Sequence, residues 1–223
     1  MNQLKEQMNL NENRINIFID GSYFCFYRYF SLLTWWKNAF PETPLEGDPV
    51  ENSLFVEKFK KLCIQSIQTI PTKLGLDKNS KNRVKMYVGK DCSRSDIWRT
   101  KHWPEYKANR APNLYIKSFF KILYDEPCNL FMNNGISAIL ESPNLEADDC
   151  IALTVLKLQK EQLSPSPSPI YIITSDQDYL QLVNDPSIQI WNLAFKHISL
   201  NKNAAQELFC KIVMGDVSDN IPS

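Results

Sequence analysis

The 223-residue sequence has no cysteine pair at CxxC spacing and only two histidines, His102 and His197, so a zinc site has no ligand set to build on. Its six cysteines (Cys25, Cys63, Cys92, Cys128, Cys150 and Cys210) are scattered and read as the reduced thiols of an intracellular protein. No apolar run is long enough to cross a bilayer as a helix, and Met1 to Arg14 is polar rather than signal-like, so neither membrane insertion nor secretion is expected. Net charge is missing too. Lys plus Arg and Asp plus Glu both total 25, which removes the overall cationic excess that usually accompanies a polyanion partner. No internal repeat is visible. What is present, 43% hydrophobic and 22% charged residues, is enough for one well-filled domain.

Short β-branched runs alternate with helix-length amphipathic stretches, the rhythm of a parallel sheet with helices on its faces, so the expected fold class is α/β. Strands are expected at Ile15–Ile19, Val84–Val88, Ile136–Leu140, Ile170–Thr174 and Ile188–Trp191, each nearly continuous in apolar residues, as burial of both sheet faces demands. Apolar residues at helical spacing predict helices at Ser22–Trp36, Leu54–Ile70, Tyr115–Leu123, Asp148–Leu163 and Ala204–Met214. Pro41–Pro49 reads as an exposed loop and Ser164–Pro169 as a Ser-Pro connection, neither of them a domain boundary. The expected organisation is a polar extension over residues 1–13 and one domain over 14–223.

Ligands of an open parallel sheet bind beyond the carboxyl ends of its strands, and acids recur there. Asp20-Gly21 follows the first strand, Gly89-Lys90-Asp91 the second, Glu146-Ala147-Asp148-Asp149 the third, and Ser175-Asp176-Gln177-Asp178 the fourth. Singly, each has an ordinary explanation: a turn at Asp20, acids complementing the positive end of a helix at Glu146 to Asp149, and a capping box with Ser175 as the cap. Asp216 and Asp219, within Gly215 to Pro222, read as part of an exposed turn. Together, six or seven carboxylates converge on one sheet edge, where repulsion either raises their pKa values or requires cations. Hard divalent ions such as Mg²⁺, which prefer carboxylate and water ligands, are the expected resolution. Because Cβ bonds tilt toward a helix start, Glu146, Asp148 and Asp149 are all expected to lean into the crevice.

The neutral total conceals two poles. Lys90 to Arg110 carries a charge of +3, and Glu141 to Asp185 carries −6. Trp98, Trp103 and Tyr106 are interleaved with Arg94, Arg99, Lys101, Lys107 and Arg110, a combination that suits phosphate pairing and base stacking on single-stranded nucleic acid, although a solvated face with a few core aromatics has the same pattern. A cationic stretch leaving an acidic crevice favours the first reading, since phosphodiester cleavage needs both a handle for the polyanion and metal at the scissile phosphate.

These residues resemble the flap endonuclease family of 5′ nucleases, which includes phage and bacterial 5′ to 3′ exonucleases and phage RNase H-type enzymes. The resemblance covers roughly Ile15 to Pro222 and is closest to the phage form. It rests on Asp91-Cys-Ser-Arg-Ser-Asp-Ile-Trp-Arg99, Pro104-Glu-Tyr-Lys-Ala-Asn-Arg110, Glu146-Ala-Asp-Asp149, Ser175-Asp-Gln-Asp-Tyr-Leu-Gln181 and Gly215-Asp-Val-Ser-Asp-Asn-Ile-Pro222, in the family's order. The resemblance implies a PIN-like domain with a mainly parallel sheet and a basic helical arch at about residues 92–114. It implies an acidic metal site of Asp20, Asp91, Glu146, Asp148, Asp149, Asp176, Asp178, Asp216 and Asp219, with Lys107 and Arg110 near the scissile phosphate. In the family the last motif continues into a helix-turn-helix-like element that grips downstream duplex; this sequence stops at Ser223, and that element is expected to be missing.

The implied activity is a structure-specific 5′ nuclease that uses two Mg²⁺ ions, with Mn²⁺ as a substitute, and cuts DNA near the junction of a 5′ single strand with duplex, in replication or repair. Asp20, Asp91, Glu146 and Asp148 are assigned to the tighter ion, and Asp149, Asp176 and Asp178 to the second. Two rivals stay open: a PIN-like ribonuclease acting on RNA or RNA–DNA hybrids, and a non-catalytic module that binds branched DNA. The expected partner is DNA with 5′ single-stranded ends or flaps, with no membrane, a monomeric state, and an intracellular location at sites of replication. No polymerase or clamp partner is legible.

Overall fold

Five strands, β1 (Ile15–Asp20), β2 (Val84–Gly89), β3 (Ala138–Leu140), β4 (Ile170–Ile173) and β5 (Ile188–Trp191), form a wholly parallel sheet in the order β3-β2-β1-β4-β5. This is a computed structural model, and it describes residues 14–110, 115–161 and 168–222. The expected extension over 1–13, the end of the arch at 111–114, the predicted helix end at Leu163, part of the Ser-Pro run and Ser223 lie outside the described residues. The helices are α1 (Gly21–Ala39), α2 (Ser53–Lys73), α3 (Ile116–Tyr124), α4 (Leu130–Asn133), α5 (Ala147–Glu161) and α6 (Ala204–Met214). Strand β3 is shorter than expected because the Ile136 N–H is taken by Phe131 O at 3.2 Å, closing the turn after α4 before pairing begins.

Period-two alternation in β1 divides the core. Ile15, Ile17 and Ile19 face the layer of α1 to α4, where Phe24, Tyr29, Phe55, Phe59, Phe119 and Phe131 pack on them. Phe18 faces the opposite layer, packed with Ile151 and Val155 of α5 and with Tyr179 and Leu180 beyond β4. With both faces covered, the strands need continuous apolar sequence, which is what they have. The cysteines are free thiols, and among the described residues no helix is long and apolar enough to cross a membrane.

The connection order places the crevice. The chain runs from β1 outward to β2 and β3, then crosses to β4 and β5 on the other side, so β1 and β4 are the neighbours at which the order reverses. Their carboxyl ends splay apart there, which is where open parallel sheets bind ligands. Two glycines let the helices close on this edge. A Cβ on Gly89 would stand 2.8 Å from Ile151 Cδ1 and 2.9 Å from Ala147 O, and one on Gly21 would collide with Tyr124 Oη and Gly89 O. Tyr124 Oη donates to Gly89 O at 2.8 Å, a buried bond that joins α3 to the end of β2.

We therefore expect Gly89→Ala to destabilise the domain by about 1–3 kcal/mol through overpacking, seen as a Tm roughly 3–10 °C lower in thermal denaturation. Tyr124→Phe removes only the hydroxyl and should cost about 1 kcal/mol. Unchanged Tm values in both variants would mean that this edge is not held by these contacts.

Candidate active site

The exits of β1 to β4 each deliver a carboxylate that is fixed by backbone or hydroxyl donors. Asp20, the last residue of β1, caps α1: its Oδ1 accepts from Tyr23 N at 3.0 Å and its Oδ2 from Thr174 Oγ1 at 3.1 Å. Asp91 joins the exit of β2 to both neighbouring helices, since its Oδ1 accepts from Ala147 N at 2.7 Å and its Oδ2 from the Ser22 hydroxyl. Asp148 stands in the first turn of α5, its Oδ1 accepting from Asp149 N at 2.7 Å. After β4 the cap of the short 3-10 turn Gln177–Leu182 is Asp176 rather than Ser175: Asp176 Oδ1 accepts from Asp178 N at 3.0 Å, while Thr174 Oγ1 accepts from Asp176 N at 3.1 Å. The Asx turn at Asp176 is closed over two residues, a span that suits a 3-10 start better than a longer reach from Ser175.

Asp20, Asp91, Asp148 and Asp176 line one cavity of about 890 Å³. Among the described residues no Lys or Arg nitrogen lies within 4.0 Å of any of the four. Burial, reinforced by the like charges of Asp91 and Asp176, pushes Asp20 up to about 7. Burial likewise raises Asp148 to about 6 despite Arg99, with Asp149 and Glu146 adding to the rise. Oxygen-only donors of this charge, short of cations, fit Mg²⁺ or Mn²⁺ and do not fit zinc. His102 and His197 do not line the cavity; His102 meets Trp98 edge-on and His197 stacks on Trp191.

The other five predicted acids are already paired. Arg99 grips Asp149 with both terminal nitrogens at 2.7 Å and reaches Glu146 Oε2 at 2.9 Å, and Trp98 Nε1 adds a bond to Asp149 at 3.1 Å. That bidentate pair holds Asp149 in a smaller cleft lined also by Arg99 and Asp148, while its carboxylate stays beside those of Glu146 and Asp148. Burial would raise Asp149, but the Arg99 hydrogen bonds and charge hold it below the usual range. Lys107 Nζ donates to Glu146 Oε1 at 2.6 Å, and Arg110 pairs with Asp219. Lys211 bridges Asp178 and Asp216, and its hydrogen bond, with that of Ser218, overcomes burial to hold Asp216 at about 2.

The expected arch, over its described residues 92–110, consists of two short 3-10 helices, Arg94–Asp96 and Trp98–Lys101, followed by successive turns. Two expectations are corrected by this geometry. Tyr106, expected to offer a stacking face, is 5% exposed, with its hydroxyl 2.9 Å from Glu146 Oε2 and 3.2 Å from Asp219 Oδ2. Asp219 belongs to no exposed turn; it is 7% exposed because the arch is tied to the terminal turn. The ties are Lys107 N to Asp219 O at 2.8 Å, Asn109 Nδ2 to Val217 O at 2.9 Å, Trp103 Nε1 to Asn220 O at 3.1 Å and Asn220 Nδ2 to Glu105 O at 2.9 Å. Arg94 braces the same loop through the carbonyls of Lys107 and Arg110, while Lys101 is exposed.

Oxygens of Glu146, Asp148 and Asp149 lie within 4.8 Å of one another, as do those of Asp178, Asp216 and Asp219, so Asp178 stands with the acids of the terminal turn. Sequence reasoning missed Ser22, Thr174 and Lys211, and the hydrogen bond from Trp98 to Asp149. Lys211 alone carried a signal, as a basic residue in the last turn of a helix that runs directly into an acidic motif.

Sheet order, helical layers and a carboxylate crevice at the switch point define the class: a PIN-like α/β domain with an acidic site. Residues 16–210 match the family model described as 5′-3′ exonuclease, N-terminal resolvase-like domain, and the chain belongs to that family. It is 29% identical over 144 residues to a protein named Ribonuclease H from Enterobacteria phage T4, covering 60% of this chain and 44% of the relative. It is 29% identical over 146 residues to a 5′-3′ exonuclease from Halalkalibacterium halodurans, covering 60% of this chain and 45% of the relative. The chain thus spans less than half the length of these curated relatives. Among solved structures, the T5 D15 protein, co-crystallised with metal ions, superimposes with a TM-score of 0.59 at 18% identity, covering 94% of this chain and 69% of that one, which shows the shared fold.

The pKa shifts give a pH dependence of stability. Asp20 and Asp148 have folded values, about 7 and about 6, above their ordinary 3.8, so between those limits the folded state holds more protons than the unfolded chain. Stability without metal therefore falls as pH rises from about 4 to about 7; Asp149 and Asp216, whose values are lowered, act in the opposite sense but only at lower pH. In EDTA, Tm should decline across that window, and Asp20→Asn, which keeps a carbonyl oxygen for Tyr23 N, should flatten the decline. A Tm that rises across the window in wild type would contradict the electrostatic picture.

Proposed function

We propose that this chain is a divalent-metal-dependent 5′ nuclease that hydrolyses phosphodiester bonds of DNA near junctions of a 5′ single strand with duplex, and so serves replication or repair. The observation that carries the reading is the set of four carboxylates, Asp20, Asp91, Asp148 and Asp176, which make no ion pair among the described residues and are gathered in one cavity beside a cationic loop. A non-catalytic binding module has no use for four like charges gathered in one cavity, Asp20 among them buried, because their repulsion and the burial cost stability. The relatives' names point to nucleic acid as the substrate, and the phage T4 relative's name keeps RNA in hybrids as the second reading.

Bound Mg²⁺ would supply an activated water at neutral pH and neutralise charge developing on the phosphate. The chain's own residues do the positioning. Asp20 and Asp91 are locked by donors from α1, α5 and the residue after β4, Thr174, so their oxygens need little reorganisation when substrate arrives. Lys107 and Arg110 line the cavity while paired to Glu146 and Asp219, and they exchange carboxylate for phosphate oxygens as the strand enters. Exposed Lys101, Trp103 and Trp98 lie on the same loop, placed to track the single strand by charge and stacking. Water adds to phosphorus as the bond to the 3′ oxygen breaks, leaving a 5′ phosphate and a 3′ hydroxyl.

Labelled 5′-flap, nicked, linear duplex and single-stranded DNA, with matched RNA and hybrid flaps, should be cleaved only with Mg²⁺ or Mn²⁺, the 5′-flap fastest. Asp91→Asn or Asp148→Asn should lower the rate by about 10²–10³ while the far-ultraviolet spectrum stays unchanged. Cleavage in EDTA, or full activity in both variants, would refute the assignment; faster cutting of RNA flaps would transfer it to the ribonuclease reading.

A further inference from the structure

Lys211 sits in the last turn of α6, and its Nζ joins two carboxylates from separate elements: Asp178 in the turn after β4, and Asp216 Oδ2 at 2.8 Å in the terminal turn. The Gly215 N–H bonds Lys211 O at 3.0 Å, which fastens the residue bearing the amine to the turn bearing Asp216. Oxygens of Asp178, Asp216 and Asp219 lie within 4.8 Å of one another, close enough to share one cation, and an ammonium group stands at two of the three. At the other end of the same cavity, Asp20, Asp91 and Asp148 have no lysine or arginine within ion-pair distance among the described residues. The crevice is therefore asymmetric: Asp20, Asp91 and Asp148 make no ion pair among the described residues, whereas an amine plugs the Asp178–Asp216 cluster.

We propose that Lys211 is a positioning residue that fills the Asp178–Asp216 cluster as a tethered monovalent cation and has to swing out before a divalent ion can enter there. The inference rests on the metal reading above. An ammonium group and a divalent ion compete for the same oxygens and repel each other, so they do not share the cluster. The amine has somewhere to go: the Lys211 side chain is 28% exposed and lines the cavity, and its four-carbon stem is flexible. The Asp20 end then loads a divalent ion at low concentration and the Asp178 end only at higher concentration, so that Lys211 sets the metal threshold for a fully loaded site.

Mn²⁺ binding to metal-free protein, followed by the electron paramagnetic resonance of free Mn²⁺, tests this without substrate. Wild type should show a tight and a weak class of site. Lys211→Met should tighten the weak class by about tenfold or more, an effect of one decade being a modest electrostatic gain, and leave the tight class unchanged. Lys211→Arg, which keeps the charge, should behave as wild type. A second measurement uses wild type alone: amine-selective labelling read by mass spectrometry should modify Lys211 slowly in EDTA and several-fold faster once Mn²⁺ fills the weak class. If Lys211→Met does not fold, the labelling result decides. Tight Mn²⁺ binding with Lys211 labelling indifferent to saturating metal overturns the inference alone. No Mn²⁺ binding at any concentration overturns it and the metal reading with it.

Discussion

Repulsion among carboxylates at the carboxyl edge of the sheet is the constraint that the rest of the molecule answers to. The edge exists because β1 and β4 diverge at the reversal of strand order, and each neighbouring strand exit brings an acid to it. Acids gathered in a partly buried crevice have their pKa values raised, by burial first and by one another's charge second, recruit protein cations or bind metal. This chain does the first at Asp20 and Asp148 and the second at Glu146, Asp149, Asp178, Asp216 and Asp219. The third is the function proposed for it.

The protein cations come from two places that meet over the crevice. The loop after β2 supplies Arg99, Lys107 and Arg110, and α6 supplies Lys211. The loop is tied down mainly by backbone carbonyls of the terminal turn, so the turn that carries Asp216 and Asp219 and the loop that carries the phosphate-pairing side chains hold each other in place. Lys107 adopts φ 57°, a left-handed conformation unusual for a residue with a side chain, and its N–H bonds Asp219 O while its amine reaches Glu146. Strain of that kind, about 1–3 kcal/mol, persists only where neighbouring contacts over-determine it.

Much of the frame was legible before any coordinates. Strands such as β1 and β4 are buried on both faces and must be apolar throughout, and helices such as α6 show their period plainly; the short α4 and the 3-10 turns, with too few residues for a period, were not visible. The acids were legible because strand exits are local in sequence. Their partners were not, because an ion pair such as Arg99 with Asp149 joins residues 50 positions apart, and nothing in the spacing says whether an arginine faces solvent or a carboxylate. Tyr106 shows the same limit: an aromatic among basic residues is compatible with a stacking surface and with a buried hydroxyl, and packing chose the second.

The sequence by itself determined the α/β class, the strand exits and the acids they carry, since hydrophobic periodicity and motif order are properties of neighbouring residues. Only the tertiary structure decided which of those acids remain without a cation and which are neutralised, that Asp178 joins Asp216 and Asp219, and that Lys211 stands among them. Charge compensation depends on distances of a few ångströms between side chains far apart along the chain, and folding alone sets those distances.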